Sequence, residues 1–216
     1  MFAVLSSINS QVKGYVYSDG YLRTSCKEFS LDNLSSRFVH LTNDAIQQTS
    51  DEYGRFESGN KISFQQFQRY LDHAFPDKKI NVNKDLMPQI TRLVTDSFYA
   101  TFSKIDPLRR QNSFEIFGYD FMIDSDFKVY IIECNTNPCL ELSCPLMARI
   151  IPAMLDNVFR VVVDPLFPPP DFSMAKKNLM HDILPISKLE LVFDERLSGN
   201  HCRELSGDDP KLNLRI

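Results

Sequence analysis

The 216-residue sequence lacks an excess of positive charge. Its 24 lysines and arginines are outnumbered by 28 aspartates and glutamates, which gives a formal net charge of −4. Proteins that bind nucleic acids carry a basic patch or stripe, because they neutralise backbone phosphates. We therefore expect no nucleic-acid partner.

Long hydrophobic runs are also missing. No apolar stretch approaches the roughly 20 residues that a membrane-spanning helix needs, so we expect no membrane partner. Met1–Leu5 has no positively charged lead and too short an apolar run for a secretory signal peptide. Because this segment enters a strand with nothing before it, we expect the fold to begin upstream of residue 1.

Cysteines are few and scattered. There are five, an odd number, and none forms a Cys-x-x-Cys pair. This pattern is typical of reduced thiols in a cytosolic protein and not of a disulfide framework. The remaining composition, 43% hydrophobic and 24% charged, is that of a soluble globular protein with one large domain or most of one.

Two runs rich in β-branched and aromatic residues predict a β-hairpin. They are Phe114–Ile123 and Val129–Cys134, and the polar segment Asp124–Asp126 lies between them. A four-residue turn at Ser125–Lys128 would place one acid of each strand, Asp120 and Glu133, directly opposite each other.

Alternation assigns faces to these acids. It places Glu133 on one face with Val129, Ile131 and Asn135. Two facing carboxylates repel, and a nearby amide oxygen completes an oxygen donor set that suits Mg²⁺. The spacing alone leaves open a plain hairpin whose acids face water. A calcium loop starting at Asp124 is excluded, because its sixth residue is not glycine and its twelfth is not glutamate.

Two further segments carry polar groups at the ends of apolar runs. Arg23 follows a tight turn, and its planar donors suit a carboxylate or phosphate, although most such arginines simply face solvent. His40, Thr42 and Asn43 crowd donors and acceptors as a nucleotide-contacting loop does. Thr-Asn as a cap for the segment Asp44–Gln48 is the plain alternative.

Helical periodicity predicts three helices. One starts after Ser63 and ends before Pro76, the second runs from Met87 to before Pro107, and the third runs from Ser143 to about Val163 with a bend or start at Pro152. The fold class is therefore α+β. We expect a compact region over residues 1–170 and a partly ordered tail over 171–216 that contains one strand-like island, Lys188–Phe193.

Several motifs together resemble a known family. FEIFGYDFMID…KVYIIECNTNP, RFVHLTNDAIQ and SDGYLRTS occur in the order found in the tubulin–tyrosine ligase family of ATP-grasp enzymes. The segment YGRFESGNKISFQQFQRYLD is also similar to tubulin–tyrosine ligase, whereas the ending NTNP is closer to the relatives that add glutamate or glycine. The resemblance extends from near residue 1 to about Phe167.

The resemblance implies the C-terminal half of an ATP-grasp fold, with a metal-binding hairpin on an antiparallel sheet packed against helices. It implies an ATP- and Mg²⁺-dependent ligase that activates a tubulin carboxylate as an acyl phosphate and couples a free amino acid to it, in the cytoplasm and on microtubules. By motif, three groups of residues carry these roles: metal ligands Asp120, Glu133 and Asn135; ATP contacts His40, Leu41, Thr42, Asn43 and Ile132; and a catalytic arginine, Arg23.

The resemblance also implies that part of the ATP-grasp domain is absent. The lysines and the glycine-rich phosphate-covering loop of a preceding subdomain have no counterpart, since the seven glycines are not grouped. A further arginine is expected at or before Met1. A truncated, non-catalytic tubulin-associated module is therefore the alternative to a ligase. A ligase for a small metabolite is less favoured, because such enzymes lack the HLTN and GYDFMID surroundings.

Overall fold

The computed structural model of the protein describes residues 1–9, 11–105, 108, 110–168 and 187–197. The chain divides into two compact units. The first contains Met1–Ser18, Met87–Cys139 and Ala153–Ile216, and the second contains Asp19–Leu86 and Leu140–Pro152. Helices and antiparallel strands occur in the same chain, which confirms the α+β class.

The strands of the described residues are β1 (Phe2–Ile8), β2 (Gln11–Tyr17), β3 (Tyr21–Arg23), β4 (Lys61–Ser63), β5 (Ser113–Ile123), β6 (Val129–Asn135) and β7 (Leu189–Asp194). The α-helices are α1 (Arg37–His40), α2 (Asp44–Gln47), α3 (Phe64–Ala74), α4 (Met87–Ile105) and α5 (Pro145–Val162). Short 3₁₀ turns occupy Ser58–Asn60 and Pro76–Lys78, and a π-helical turn occupies Val82–Leu86.

The first unit is built on a five-stranded sheet in the order β6-β5-β1-β2-β7. Each neighbouring pair is antiparallel. Side chains alternate between the two faces of a strand, and β1 buries apolar residues on both faces. One of these faces carries a large apolar cluster. The core on this face contains Ala3, Leu5, Val12, Val16, Phe117, Tyr119 and Phe193.

Helix α4 covers this core face with the apolar stripe that the sequence predicts. Its residues Val94, Phe98 and Phe102 belong to the same buried cluster. The ring of Phe98 lies so close to Gly14 that a Cβ there would be 2.7 Å from it. Glycine at this position in β2 therefore allows the helix to approach the sheet.

The second unit contains a two-stranded ribbon, β3 and β4, in which Arg23 pairs with Lys61. Ser63 begins α3 with a capping box, since its hydroxyl accepts from the Gln66 N–H and the Gln66 side chain accepts from the Ser63 N–H. The predicted cap is therefore confirmed. In the helix interior Leu71 is buried.

Helix α5 differs from its prediction at its first residue. It begins at Pro145, and the carbonyl of Cys144 accepts the first helical bond from the Ala148 N–H at 3.0 Å, so Ser143 is not the cap. Proline is well suited to the first helical position because its φ is already helical. The helix continues through Pro152. One of the boundaries between the two units falls directly after this residue.

The strand-like island near the C-terminus is β7, which pairs with β2 as an edge of the sheet. Its Phe193 is buried in the core of the first unit. The rest of the predicted tail, residues 171–186 and 198–216, lies outside the described residues. Among the residues that the structure describes, no helix is both long and apolar enough to cross a bilayer.

Candidate functional site

The hairpin of β5 and β6 places the two predicted acids opposite each other. Asp120 pairs with Glu133, and Gly118 pairs with Asn135. Asp120 is partly buried and Glu133 is exposed. The amide nitrogen of Asn135 donates to Oε1 of Glu133 at 3.0 Å, which leaves the amide oxygen as a ligand atom.

The pairing arises by a different route from the predicted one. Ile123 pairs with Val129, so residues 124–128 form the turn, one residue longer than expected. The register then shifts between Phe121 and Asp120, because Phe121 pairs with Ile131 while Asp120 pairs with Glu133. Ile132 is the extra residue of a β-bulge, and it restores the alignment of the two acids.

The bulge overturns the predicted faces of β6. Ile131 packs against the core cluster together with Phe121, whereas Glu133 shares the opposite face with Asp120. Glu133 therefore does not lie on the Ile131 side of the strand, as strict alternation predicts. Because of the extra residue, Ile131 lies on the core face, and Glu133, two positions later, lies on the other face.

The turn of the hairpin is fixed by hydrogen bonds at both ends. The Asp124 N–H donates to the Lys128 carbonyl at 3.0 Å, and the Asp124 carboxylate accepts from the Lys128 N–H at 2.9 Å. The latter bond lowers the pKa of Asp124. Gln89 of α4 binds the end of the turn and the first residue of β6: it donates to the Phe127 carbonyl and accepts from the Val129 N–H, each at 3.0 Å.

A close approach fixes the segment after β6. A Cβ at Gly118 would lie 2.8 Å from Cβ of Pro138. Gly118 is two residues from Asp120, so Pro138 covers the same face of the hairpin beside the acids. This packing holds the end of β6, where Asn135 is located, against β5.

The oxygen donors of the hairpin are of the type that Mg²⁺ prefers. Two carboxylates on adjacent strands and an amide oxygen supply hard ligands, and Mg²⁺ completes its octahedron with water or phosphate. The described residues contain no group of three His, Cys, Asp or Glu side chains that would form a closed metal site. The donor set therefore fits an open, Mg²⁺-type site and does not fit a closed structural one.

On the core side of the hairpin, Tyr119 and Cys134 are paired partners between the strands. The hydroxyl of Tyr119 lies 2.7 Å from Oγ of Ser97, and burial raises the pKa of Tyr119 well above its ordinary value. Desolvation also raises the pKa of the Cys134 thiol.

In the second unit, the predicted catalytic arginine lies opposite a lysine that the sequence did not single out. Arg23 of β3 pairs with Lys61 of β4, which is 5% exposed. The ammonium of Lys61 forms an ion pair with Asp44 and donates to the Gly59 carbonyl at 3.1 Å. Arg23 and Lys61 therefore lie on one face of the ribbon, and Asp44 balances the charge of Lys61.

The predicted nucleotide loop, residues 40–43, connects α1 to α2. A ring nitrogen of His40 lies 3.0 Å from the Asn33 carbonyl, and the exposed side chain of Leu41 contributes apolar surface. Thr42 is partly buried. The Asn43 side chain accepts from the Ala45 N–H at 2.9 Å as the N-cap of α2, so the capping role left open by the sequence is present.

The site residues predicted from the sequence thus form two sets. Asp120, Glu133 and Asn135 lie together on the hairpin of the first unit, with Ile132 between them in the chain. Arg23 and the loop 40–43 belong to the second unit. Lys61 is a charged residue that was not predicted from the sequence. The feature that could have indicated it is its position as the first residue of β4, which pairs with the strand of Arg23.

The comparison with protein families decides the relationship. The model of the Tubulin-tyrosine ligase family matches residues 1–171. The chain belongs to this family. The resemblance drawn from the hairpin, the HLTN loop and the arginine strand is thereby confirmed.

Members of the tubulin–tyrosine ligase family with related sequences carry names that refer to tubulin. "Tubulin glycylase 3D" of Tetrahymena thermophila is 32% identical over 168 residues, which cover 76% of this chain and 15% of the relative. "Tubulin glycylase 3B" of Drosophila melanogaster is 33% identical over 168 residues, covering 76% and 21%. "Probable tubulin polyglutamylase TTLL9" of Mus musculus is 29% identical over 151 residues, covering 70% and 32%.

The chain therefore spans less than a third of the length of these three family members. The matched region contains both sets of candidate residues, because the family match ends after β6 and α5.

Proposed function

We propose that this chain forms the C-terminal half of an ATP-grasp domain in a ligase that joins an amino acid to a carboxylate of tubulin. The hairpin register carries the proposal, because Asp120 directly faces Glu133 and Asn135 is bonded to Glu133. Family membership and the names of the related glycylases and polyglutamylases support the reaction and tubulin as the acceptor. The place of action would be the cytoplasm, on microtubules.

The proposed reaction has two steps. An oxygen of the tubulin carboxylate attacks the γ-phosphorus of ATP, and ADP leaves as the acyl phosphate forms. The amine of the free amino acid then attacks the acyl carbon, loses a proton, and displaces inorganic phosphate. An amide bond forms, one ATP is consumed, and no oxidant or reductant is needed.

The hairpin residues would hold the cation. Asp120 and Glu133 supply two carboxylates, and Asn135 supplies an amide oxygen that its bond to Glu133 keeps in place. When bound, Mg²⁺ screens the charge of the ATP phosphates. Ile132, which is 58% exposed at the bulge, offers an apolar surface for the adenine ring.

The second-unit residues would bind oxygen atoms and nucleotide. The guanidinium of Arg23 suits an acidic substrate or the phosphoryl group, and it favours the negative charge that develops on the acyl oxygen. The loop of His40, Leu41, Thr42 and Asn43 would contact the nucleotide. Its carbonyls, its hydroxyl and its exposed leucine present both polar and apolar groups.

Among the possible amino acids, we propose glycine first. Proteins named tubulin glycylases are prominent among the similar proteins, which supports glycine. A protein named a probable tubulin polyglutamylase is also similar, so glutamate is our second candidate. The YGRFESGN segment keeps tyrosine as a third donor to be measured.

The test is transfer of labelled glycine, glutamate or tyrosine to purified tubulin with ATP and Mg²⁺. We expect incorporation of glycine, and Glu133→Gln should reduce it by about 100-fold or more, because neutralising a metal-holding carboxylate removes its charge. Glu115→Gln, an exposed acid on the same hairpin, is the matched control and should keep full activity. The thermal unfolding of both variants should match that of the unmodified protein.

The outcomes separate the alternatives. Incorporation of none of the three amino acids, with tubulin binding but no ATP binding, would replace the ligase with a non-catalytic tubulin-associated module. Collapse of thermal stability in Glu133→Gln would instead assign Glu133 a structural role.

A further inference from the structure

One buried polar side chain of the second unit has no part in the proposed chemistry. Gln47, the last residue of α2, is 0% exposed. Its carbonyl oxygen Oε1 accepts from the Cys26 N–H at 2.7 Å. Its amide nitrogen Nε2 donates to the carbonyls of Leu41 at 2.5 Å and Phe38 at 3.4 Å.

These bonds join two separate stretches of backbone. Cys26 lies three residues after Arg23, whereas Leu41 lies inside the proposed nucleotide loop. Every polar atom of the Gln47 amide has a partner, so the side chain is held in one orientation. A single residue therefore bridges the arginine strand and the loop 40–43.

The backbone after Arg23 is itself fixed from a second side. The Thr24 N–H donates to the Asn60 carbonyl at 2.9 Å, and the Asn60 side-chain amide donates to the Thr24 carbonyl and to Sγ of Cys26, each at 3.2 Å. Asn60 is 3% exposed. Gln47 therefore binds to backbone whose position β3 and Asn60 already set.

Apolar packing does little to hold the other end of this bridge. Helix α1 contains no buried residue, and Leu41 is 45% exposed. Segments with few buried apolar contacts open most readily. The bonds from Gln47 to Phe38 and Leu41 are partly buried, and they tie this loop to the backbone at Cys26.

We propose that Gln47 is a positioning residue, which holds the loop 40–43 at a fixed place relative to Arg23. The inference rests on the proposed function, because it takes the loop as a nucleotide contact and Arg23 as a substrate contact. Gln47 itself touches neither ATP nor tubulin. It acts through the backbone of Leu41 and Cys26.

Two substitutions test this role. Gln47→Met keeps the length of the side chain but removes every hydrogen bond that the side chain makes. Gln47→Glu keeps an acceptor for the Cys26 N–H, and its second oxygen meets the carbonyls of Phe38 and Leu41 and repels them. Gln48→Met is the matched control, since Gln48 is the adjacent residue and is exposed.

Kinetics of amino-acid incorporation form the first measurement. We expect both Gln47 variants to raise the KM for ATP by about 10-fold or more and to lower kcat/KM by about 100-fold, as small misplacements do. The KM for the free amino acid should change by less than about 2-fold, and Gln48→Met should behave like the unmodified protein. Equal changes in every KM, or none, would overturn the proposal.

Amide hydrogen exchange without ligand forms the second measurement, and it does not depend on the ligase reaction. In Gln47→Met, exchange should accelerate at Cys26 and over residues 38–43, while α3 keeps its protection. Acceleration spread evenly over α3 would make Gln47 a general stabiliser and overturn the inference. If the unmodified protein shows no incorporation, the proposed function fails, whereas local acceleration would still show that Gln47 positions the loop.

Discussion

At the scale of single residues, Gly118 shows how sterics support the acidic face of the hairpin. No side chain fits between β5 and Pro138, because a Cβ at Gly118 would lie 2.8 Å from Cβ of Pro138. Real Cβ contacts of this length essentially do not occur, so Pro138 and the end of β6 would have to move. Glycine is present here for space and not for an unusual φ.

We therefore predict that Gly118→Ala destabilises the protein by about 1–3 kcal/mol through overpacking. The measurement is the free energy of unfolding from denaturant titration. Pro138→Gly removes the obstructing Cβ, so the double variant should lose less stability than the sum of the two single variants. Simple additivity would show that the two residues do not contact each other in this way.

Residue identities could be predicted from the sequence where one chemical rule decided. The capping box at Ser63 follows from the preference of helix starts for serine with glutamine three residues on. The pairing of Asp120 with Glu133 was predicted, but a longer turn and a bulge produce it in place of strict alternation. Lys61 could not be predicted, because its burial depends on an ion pair with Asp44, 17 residues earlier. A single sequence does not reveal such a partner.

At the scale of elements, the turn of the hairpin depends on helix α4. Gln89 donates to the Phe127 carbonyl and accepts from the Val129 N–H, so it binds the end of the turn and the start of β6. Phe127 has a positive φ of 61°, an unfavourable conformation for a residue with a large side chain, and it is nevertheless buried. The contact with Gln89 helps to keep this residue in place.

Gln89→Ala should accordingly cost about 1–3 kcal/mol, because it leaves two partly buried backbone groups without their partner. Gln65→Ala is the matched control, as Gln65 is an exposed glutamine in the first turn of α3. Unfolding free energies measure the difference, and amide exchange at Val129 locates it. Equal stability of the two variants would contradict the role of Gln89.

The hairpin as an element could be predicted, but the details of its register could not. The apolar runs gave both strands to within a residue. Nothing in the sequence marks Ile132 as an extra residue, because it follows another isoleucine in the apolar segment Val129–Cys134. The bulge depends on the turn length together with the packing of Ile131 and Phe121 in the core.

At the scale of the whole chain, the edge strand β7 pairs with β2, which lies far from it in the sequence. Lys13 of β2 pairs with Asp194 of β7. Phe193 is 2% exposed and contacts the rings of Tyr99 and Phe102 of α4. The segment 189–194 therefore contributes to the core of the first unit.

We predict that Phe193→Ala lowers the free energy of unfolding by about 3–5 kcal/mol, because it leaves a cavity between α4 and β2. Leu191→Ala, at an exposed position of the same strand, should cost less than about 1 kcal/mol. Denaturant unfolding of the full chain measures both. Similar losses would mean that β7 acts through its backbone pairing and not through the buried ring.

The arrangement of the whole chain was the hardest level to predict from the sequence. The two hairpin strands and the strand-like island can be found by their composition, but the order of the strands depends on contacts between residues that are distant in the chain. One of the boundaries between the two units lies inside α5, and its local signal is Pro152.

The bulge at Ile132 decides which face of β6 carries Glu133. If the same residues paired in strict alternation, Ile132 would lie opposite Asp120, and Glu133 would lie opposite Tyr119 on the apolar face. The acid would then be lost from its place beside Asp120 without any change in its identity. The register of this short segment is therefore as important to the acidic pair as the residues themselves.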